Sequence, residues 1–220
     1  MILGFDTATP ATAVAVLPDD GEPVELRHDP APGERPGHAA KLLPLARSAL
    51  EAAGATFADV RRIGVGVGPG TFTGLRIGVA TGRALAQATG AELAAVSTLQ
   101  ALAEAVGTGG SVLAVIDARR GEAFAAGYHR GQRLTGPVAI APDDLDALAD
   151  PAHAPGMAVG DGAVRFRDRL EPAVDVPVDA STLHRVSALA VCRLATTAPS
   201  VDRDALLPEY VRAPDAVPRR

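Results

Sequence analysis

The sequence predicts an α/β protein. Short apolar segments with strand character alternate with segments in which apolar residues recur at helical spacing. Clusters of glycine and proline separate the two kinds of segment. Strands that alternate with helices are typical of the α/β class.

The composition is that of a globular chain. Hydrophobic residues make up 47% of the 220 residues and charged residues 21%, unlike a disordered chain. This length suffices for one compact domain or two small ones. Aromatic residues are only 3%, the formal net charge is -5, and Lys41 is the single lysine. We therefore expect neither base-stacking platforms nor a basic face for nucleic acid.

The location of the protein is predicted from what the sequence lacks. Cys192 is the single cysteine, which excludes an internal disulfide and a cysteine-based zinc site. The first residues, Met1 to Asp6, have neither the basic nor the long apolar region of a signal peptide. No stretch approaches the ~18 apolar residues that a membrane span needs. We expect a cytoplasmic protein without a membrane partner.

The first half opens with two strands and a helix. The strands are predicted at 2–6, an apolar run that ends in a carboxylate, and at 12–17, before a turn. A helix is predicted from His38 to Ala53 because its apolar residues recur every three or four positions. Pro44 lies inside it and is expected to bend it or to end its first turn. Gly54 provides a stop.

A strand, a glycine loop and a second helix follow. The strand is predicted at 63–67 and the loop at Gly68-Pro69-Gly70. The helix is predicted from Thr71 or Phe72 to Thr89, with Gly90 beyond its end. After a short strand at 93–96, Ser97 and Gln100 form a capping-box pattern for a third helix that ends near residue 106.

The glycine-rich segment 107–110 is the predicted domain boundary, which divides the chain into 1–106 and 107–220. The second half again opens with an apolar run that ends in aspartate, Asp117. From these residues alone an internal duplication remains open. Further elements are predicted as strands near 112–117, 122–129 and 133–140 and a helix near 187–198.

The segment from Gly64 to Gly78 has the order strand, glycine loop and helix start. Backbone N–H groups at a helix N-terminus bind anions, so a phosphate-binding loop is one interpretation. However, a Walker A motif requires a lysine that this segment lacks. Phosphate binding here is therefore the minor alternative.

Gly74, Gly78 and Gly82 recur at every fourth position of the second helix and form one stripe without side chains. Each interior glycine costs about 1 kcal/mol relative to alanine, so close approach of another backbone is the expected reason. Two interpretations remain open from the residues alone. The stripe packs against the protein's own sheet or first helix, or it contacts another subunit.

Two aspartates follow predicted strands and are candidates for ligand binding. Asp6 and Thr7 follow the first strand, and Asp117 ends the corresponding strand of the second half. An aspartate beside hydroxyls can place Mg²⁺ and phosphate oxygens. The commoner role of such residues is a turn in which Asp and Thr cap their own backbone. The five histidines show no metal-ligand spacing, so the residues give no convincing nucleophile, base or metal cage.

At this point the motifs, taken in order, resemble the TsaB (YeaZ) family along nearly the whole chain. The most specific is the block from Gly68 to Gly78, Gly-Pro-Gly-Thr-Phe-Thr-Gly-Leu-Arg-Ile-Gly. The weaker ones are Asp6–Thr9, His38 with Leu42–Pro44, Val96–Leu99, Ile116–Arg119 and Pro208–Arg212.

The resemblance implies an actin/Hsp70/sugar-kinase-like (ASKHA) fold of two ribonuclease-H-like lobes. It also implies a non-catalytic subunit of the complex that transfers a threonylcarbamoyl group to N6 of the adenosine next to the anticodon in tRNA. In that family the catalyst is the related TsaD, the ATPase TsaE joins the complex, and tRNA is reached through the complex. No membrane is involved.

The resemblance further implies a helix bundle with TsaD, built from the first two helices of each N-terminal lobe. A free chain that exposes this surface should tend to self-associate through it, and the sequence leaves open whether it is a monomer or a homodimer. The expected interface residues are Leu42, Leu45, Thr71, Gly74, Leu75, Gly78 and Gly82.

TsaD-like proteins carry a His-x-x-x-His metal pair on the third helix, where this chain has Thr98 and Leu102. Leucine cannot bind a metal and a hydroxyl alone is a poor ligand, so we expect no catalytic site, metal or intrinsic cofactor. Asp6, Thr7 and Asp117 are expected to form a vestigial phosphate site facing the cleft between the lobes, with ATP or ADP and Mg²⁺ only in the assembled complex.

The alternative is a small actin-like ATPase or kinase that uses Asp6 and Asp117 around Mg²⁺. A peptidase is disfavoured because the sequence shows neither a metal pair nor a nucleophile.

Overall fold

The computed structural model describes residues 1–31, 33–107, 109–148 and 156–212, which form two sheets with helices packed on them. The strands are β1 (Ile2–Asp6), β2 (Thr12–Leu17), β3 (Val24–His28), β4 (Arg62–Gly68), β5 (Glu92–Ser97), β6 (Ser111–Arg119), β7 (Glu122–His129), β8 (Gln132–Ile140), β9 (Met157–Val159) and β10 (Ser200–Val201). The helices are α1 (His38–Ala52), α2 (Phe72–Thr89), α3 (Thr98–Val106), α4 (Asp161–Arg165), α5 (Arg167–Leu170) and α6 (Ala188–Thr197).

The first sheet has the order β10-β5-β4-β1-β2-β3. Its strand β1 pairs antiparallel with β2 and parallel with β4, and β4 pairs parallel with β5. The carboxyl ends of β1, β4 and β5 therefore meet at one edge. The turns that carry Asp6, Gly68 and Ser97 come together there.

The second sheet has the order β8-β7-β6-β9, in which β6 pairs antiparallel with β7 and parallel with β9. Strand β6 thus takes the place that β1 has in the first sheet. Both sheets contain a three-stranded antiparallel meander whose first strand pairs with a parallel strand on its other side. This shared order supports the internal duplication that the residues left open, and it is the predicted pair of ribonuclease-H-like lobes.

Several apolar clusters hold the sheets to their helices, and two of these are larger than the others. In the first lobe, Phe5 and Ile63 of the sheet pack with Leu42 and Leu50 of α1, and all four are buried. Burial of each such side chain contributes roughly 1.5–3 kcal/mol. The second large core lies around α3 and α6, with Leu99 as one of its buried members.

Helix α6 crosses closely over the first sheet, because small residues face it. A Cβ atom at Gly4 would lie 2.5 Å from the Sγ of Cys192, and one at Gly64 would lie 2.8 Å from the Cβ of Ala195. Glycine at these two strand positions therefore permits the approach of the helix.

The predicted division into 1–106 and 107–220 needs a correction for the end of the chain. Helix α6 packs on β1, β2 and β4, and β10 pairs with β5 at an edge of the first sheet. These elements follow residue 107 in sequence but lie in the first lobe. The apolar face of α6 alone did not indicate which sheet it would cover.

The other predicted elements lie close to the observed ones, with the following differences. Helix α1 continues through Pro44, which is exposed, although an end to its first turn was one expectation. Ser97 precedes α3 as predicted, but the capping box is wrong: its hydroxyl donates to the carbonyl of Gly68 at 3.3 Å instead. Strand β3 was not predicted, although its apolar Val24 and Leu26 alternate with polar residues, and the short elements β9, β10, α4 and α5 were not predicted either.

Among the described residues, no helix combines the length and the apolar character needed to cross a bilayer. The cytoplasmic location stays a prediction.

Candidate functional site

Asp6 lies at the edge where β1, β4 and β5 end, and both of its carboxylate oxygens are occupied. Oδ1 accepts a hydrogen bond from the backbone N–H of Ala8 at 2.7 Å, and Oδ2 accepts one from the hydroxyl of Thr98 at 2.7 Å. The side chain is buried, and a Cβ at Gly66 would lie 2.0 Å from Oδ2. The carboxylate is thus enclosed by its own lobe.

Burial raises the pKa of Asp6 above its ordinary value, and the bonds from Thr98 and Ala8 offset this only in part. Through two short hydrogen bonds, the buried side chain of Asp6 links the turn after β1 to the start of α3. Each oxygen already accepts a hydrogen bond and the side chain is buried, which disfavours its use as a ligand of Mg²⁺.

The turn after β1 also rests on α2, and the glycine stripe makes this contact. The hydroxyl of Thr7 donates to the carbonyl of Gly74 at 2.7 Å. A Cβ at Gly74 would lie 1.9 Å from the carbonyl oxygen of Thr7, and one at Gly78 would lie 2.6 Å from its Oγ1. One turn further, a Cβ at Gly82 would lie 2.6 Å from Cγ2 of Val65.

The expected orientation of the interface residues is therefore wrong for the stripe. Gly74, Gly78 and Gly82 face the interior of the first lobe, where only glycine lets α2 approach the turn and β4. This is the internal-packing interpretation that the sequence left open.

Two leucines of the expected interface also lie inside. Leu42 and Leu75 are almost completely buried, and Leu45 is partly buried against the same core. Thr71 precedes α2 and its N–H donates to the carbonyl of Ala8 at 2.7 Å. Helical spacing placed these residues on an apolar stripe, and the stripe covers this lobe's own sheet.

The structure instead exposes apolar residues that the sequence analysis did not select. Leu43 of α1 is 47% exposed and Phe72 at the start of α2 is 43% exposed. The ring of Phe72 stacks on Tyr210, with centroids 5.3 Å apart. Helical spacing gave no signal for them. Leu43 lies seven residues before the buried Leu50, and Phe72 lies seven before the buried Val79, so only the fold shows that they are exposed.

Asp117 occupies in β6 the position that Asp6 has in β1, but its surroundings differ. Oδ1 accepts from the N–H of Arg119 at 2.9 Å, and Oδ2 pairs with the guanidinium groups of Arg119 and Arg165 at 3.2 and 2.8 Å. The neighbouring Asp161 accepts from the N–H of Asp117 at 3.0 Å. Burial raises the pKa of Asp161, and the nearby charge of Asp117 adds to the shift.

A cleft of about 240 Å³ lies between the lobes, lined by Thr9, Arg27, Asp161 and Arg185 among others. Arg27 is already paired there with Asp29 at 2.9 Å. Neither Asp6 nor Asp117 is among the residues that line this cleft, and the vestigial phosphate site stays a prediction. Each aspartate is bonded within its own lobe.

Thr98 and Leu102, at the expected metal-ligand positions of the third helix, both have internal roles. The hydroxyl of Thr98 is bonded to Asp6, and Leu102 is fully buried. Within the described parts of the chain, no three His, Cys, Asp or Glu side chains come together as metal ligands. The expectation that no metal is bound stays a prediction.

Comparison with known proteins bears on these observations. The family model of tRNA N6-adenosine threonylcarbamoyltransferase, TsaD, matches residues 34–198. An uncharacterized protein of Mycobacterium tuberculosis strain H37Rv is 35% identical over 99% of this chain and 94% of its own length. The "tRNA threonylcarbamoyladenosine biosynthesis protein TsaB" of Escherichia coli K12 is 37% identical over 60% of this chain. The chain spans 56% of that relative and 40% of a Mycobacterium leprae relative that is 36% identical.

The solved structures agree with these relatives. YeaZ from Pseudomonas aeruginosa has a TM-score of 0.78 and 29% identity, over 95% of this chain and 98% of that one. A ROK hexokinase from Thermus thermophilus, 14% identical with a TM-score of 0.53, shares the fold over 89% of this chain and 98% of its own. The predicted ASKHA fold is thereby confirmed. The chain belongs to the TsaD family described by the matching model, and within it to the TsaB (YeaZ) group whose motifs its sequence resembles.

Proposed function

We propose that this chain acts in the formation of threonylcarbamoyladenosine in tRNA, as a non-catalytic subunit beside a TsaD-like transferase. The pathway is supported by the relatives from E. coli and Bacillus subtilis, which are named tRNA threonylcarbamoyladenosine biosynthesis protein TsaB. The observation that carries the non-catalytic role is the bond between Thr98 and Asp6. Thr98, which stands at an expected metal-ligand position, instead forms a hydrogen bond that stabilises the first lobe.

Helices α1 and α2 are the proposed docking elements, but through their exposed faces. Leu43 and Phe72 project from these faces, and we call the exposed parts of the two helices around them the helix-pair surface. Exposed apolar residues on adjacent helices favour burial against a partner. A second copy of the chain would compete for the same surface when the transferase is absent.

A TsaE-like ATPase and tRNA would join this chain only through the assembled complex, and so would ATP or ADP with Mg²⁺. The alternative of an independent ATPase loses its main support, because both oxygens of Asp6 are bonded inside the lobe. Titration of ATP with and without Mg²⁺ into the free chain separates the two. Micromolar binding that Asp6→Asn abolishes would favour the ATPase.

The central test is reconstitution with the TsaD-like protein of the same organism. The chain alone is expected to give no threonylcarbamoyl transfer, and its addition is expected to raise transfer by the partner. Leu43→Glu should weaken the association about tenfold or more, because it places a charge in a buried contact. Val178→Glu is the matched control, since Val178 is 74% exposed and lies far from α1 in the sequence.

Transfer by the chain without its partner would overturn the non-catalytic role. Stoichiometric iron or zinc in the purified chain would count against it as well. Equal binding of the partner by wild type and Leu43→Glu would show that the docking surface lies elsewhere. The proposed role in threonylcarbamoyladenosine formation would still stand.

A further inference from the structure

A second exposed surface lies on α2, on the side where the C-terminal segment 203–210 runs beside it. A groove of about 660 Å³ separates the two. We call it the arginine groove, and its principal residues are Arg76, Ala80, Arg83, Arg203, Leu207 and Tyr210. It adjoins the helix-pair surface, because Arg76 and Tyr210 of the groove both contact the ring of Phe72.

The charge of the arginine groove is positive in a chain whose net charge is -5. Three arginines line it against one acidic residue, Asp204. Elsewhere arginines are paired with carboxylates, for example Arg167 with Glu171 at 2.8 Å. No ion pair to a carboxylate is formed by the three groove arginines within the described ranges of the chain.

Two of these arginines are held in place by neutral groups. Arg83 donates through Nε to the carbonyl of Leu206 at 3.1 Å and through one terminal nitrogen to that of Asp204 at 2.9 Å. Arg76 lies 3.6 Å from the ring centroid of Phe72 and donates to the hydroxyl of Tyr210 at 3.1 Å. Their positions are fixed while their charge stays uncompensated.

The groove also offers apolar contact. Leu207 is 62% exposed and Tyr210 is 43% exposed on its C-terminal wall. On the helical wall, Ala80 lies between the two arginines and is exposed. A small residue at this point allows another backbone to approach α2 closely.

The spacing of these groups fits a helix. Arg76 and Arg83 are seven residues apart, so they lie on one face of α2 about 10.5 Å apart along its axis. Carboxylates seven residues apart on a partner helix match this distance. Apolar side chains between them would cover Ala80 and Leu207.

We propose that the arginine groove binds an acidic amphipathic helix of a partner protein. The three arginines favour a partner that carries carboxylates. The apolar Leu207 and Tyr210 favour a polypeptide, whose apolar side chains can cover them. A nucleic-acid backbone would leave Leu207 uncovered and would be repelled by the net negative charge of the chain. The proposal rests on the proposed docking through α2 and names the chemistry of the partner, whereas the variants below change groove residues only and so test it separately from Leu43→Glu.

The test uses a fluorescein-labelled synthetic helix with glutamates seven residues apart and leucines between them. Its binding to the full chain is followed by fluorescence anisotropy, beside the same helix with glutamine for glutamate. The glutamate helix should bind in the micromolar range and the glutamine helix about tenfold more weakly. Added salt should weaken the first more than the second.

Variants locate the binding. Arg203→Glu should weaken binding about tenfold, and Leu207→Ser about fivefold, since both remove groove contacts at exposed positions where the fold is undisturbed. The matched controls are Arg193→Glu and Val178→Ser, exposed residues outside the groove, which should leave affinity unchanged.

Three results would overturn the proposal. The first is no binding of the glutamate helix below millimolar concentration. The second is an equal loss of affinity in the controls and the groove variants. The third is tighter binding of labelled polyuridylate than of the helix, lost in Arg203→Glu, which would assign the groove to nucleic acid.

Discussion

The turn after β1 and the turn after β6 start from the same local structure and end in different surroundings. In both, the aspartate that follows the apolar run accepts a hydrogen bond from the N–H two residues later, Ala8 for Asp6 and Arg119 for Asp117. The partner of the second carboxylate oxygen differs between the two aspartates. In Asp6 this oxygen meets a buried hydroxyl, and in Asp117 it meets exposed guanidinium groups.

This difference shows how one strand–turn unit serves two purposes. The first turn is enclosed because α2 presents glycines to it and α3 presents a hydroxyl. The second turn has neither. The Asp117 side chain is only 7% exposed, but the arginines that pair with it lie at the surface. An aspartate after a strand therefore does not by itself indicate a ligand site, since in both lobes it caps its own turn.

The largest expected effect comes from separating the first turn from α2. Gly74→Ala places a Cβ 1.9 Å from the carbonyl oxygen of Thr7, so the helix or the turn must move. We expect a loss of about 3 kcal/mol or more in the free energy of unfolding, or failure to fold. Urea unfolding followed by circular dichroism measures it.

Gly109→Ala is the control for Gly74→Ala, because a Cβ at Gly109 meets nothing within 4 Å and its φ is ordinary. If Gly74→Ala were as stable as this control, α2 would not rest on the turn. The glycine stripe would then be free to face a partner after all.

Features that depend on local sequence patterns were predictable, and features that depend on contacts between distant residues were not. The bounds of α1, α2 and α3 followed from helical periodicity and glycine stops, which are local. The direction of the glycine stripe was not predictable, because Gly74 and Gly78 have the same spacing whether Thr7 or another subunit lies opposite. Likewise, the bond between Asp6 and Thr98 joins residues far apart in sequence, and only the fold brings them together.

A smaller, pH-dependent effect comes from the charge of Asp6. Because burial raises the pKa of this carboxyl in the folded state, folding favours its protonated form. The stability that this contributes is complete below the unfolded value of 3.8 and is lost as the pH rises through the folded value. Asp6→Asn removes this loss and retains groups that can bond to Ala8 and Thr98.

Urea unfolding of Asp6→Asn and wild type between pH 4 and neutral pH checks the sign. The free energy of unfolding of the variant relative to wild type should increase as the pH rises. Asp161 also has a raised pKa from burial, so some pH dependence should persist in Asp6→Asn. A constant difference between the two proteins at every pH would mean that Asp6 is as well solvated as an exposed carboxylate.

The smallest expected effect comes from the second turn. Asp117→Ala removes the ion pairs to Arg119 and Arg165, whose side chains are 56% and 48% exposed, so both guanidinium groups return to water. We expect a loss of about 1 kcal/mol or less, reduced further by salt. Urea unfolding at low and high salt measures both. A loss as large as that of Gly74→Ala, and insensitive to salt, would show that the second turn is fastened by packing like the first, and the contrast between the two lobes would fail.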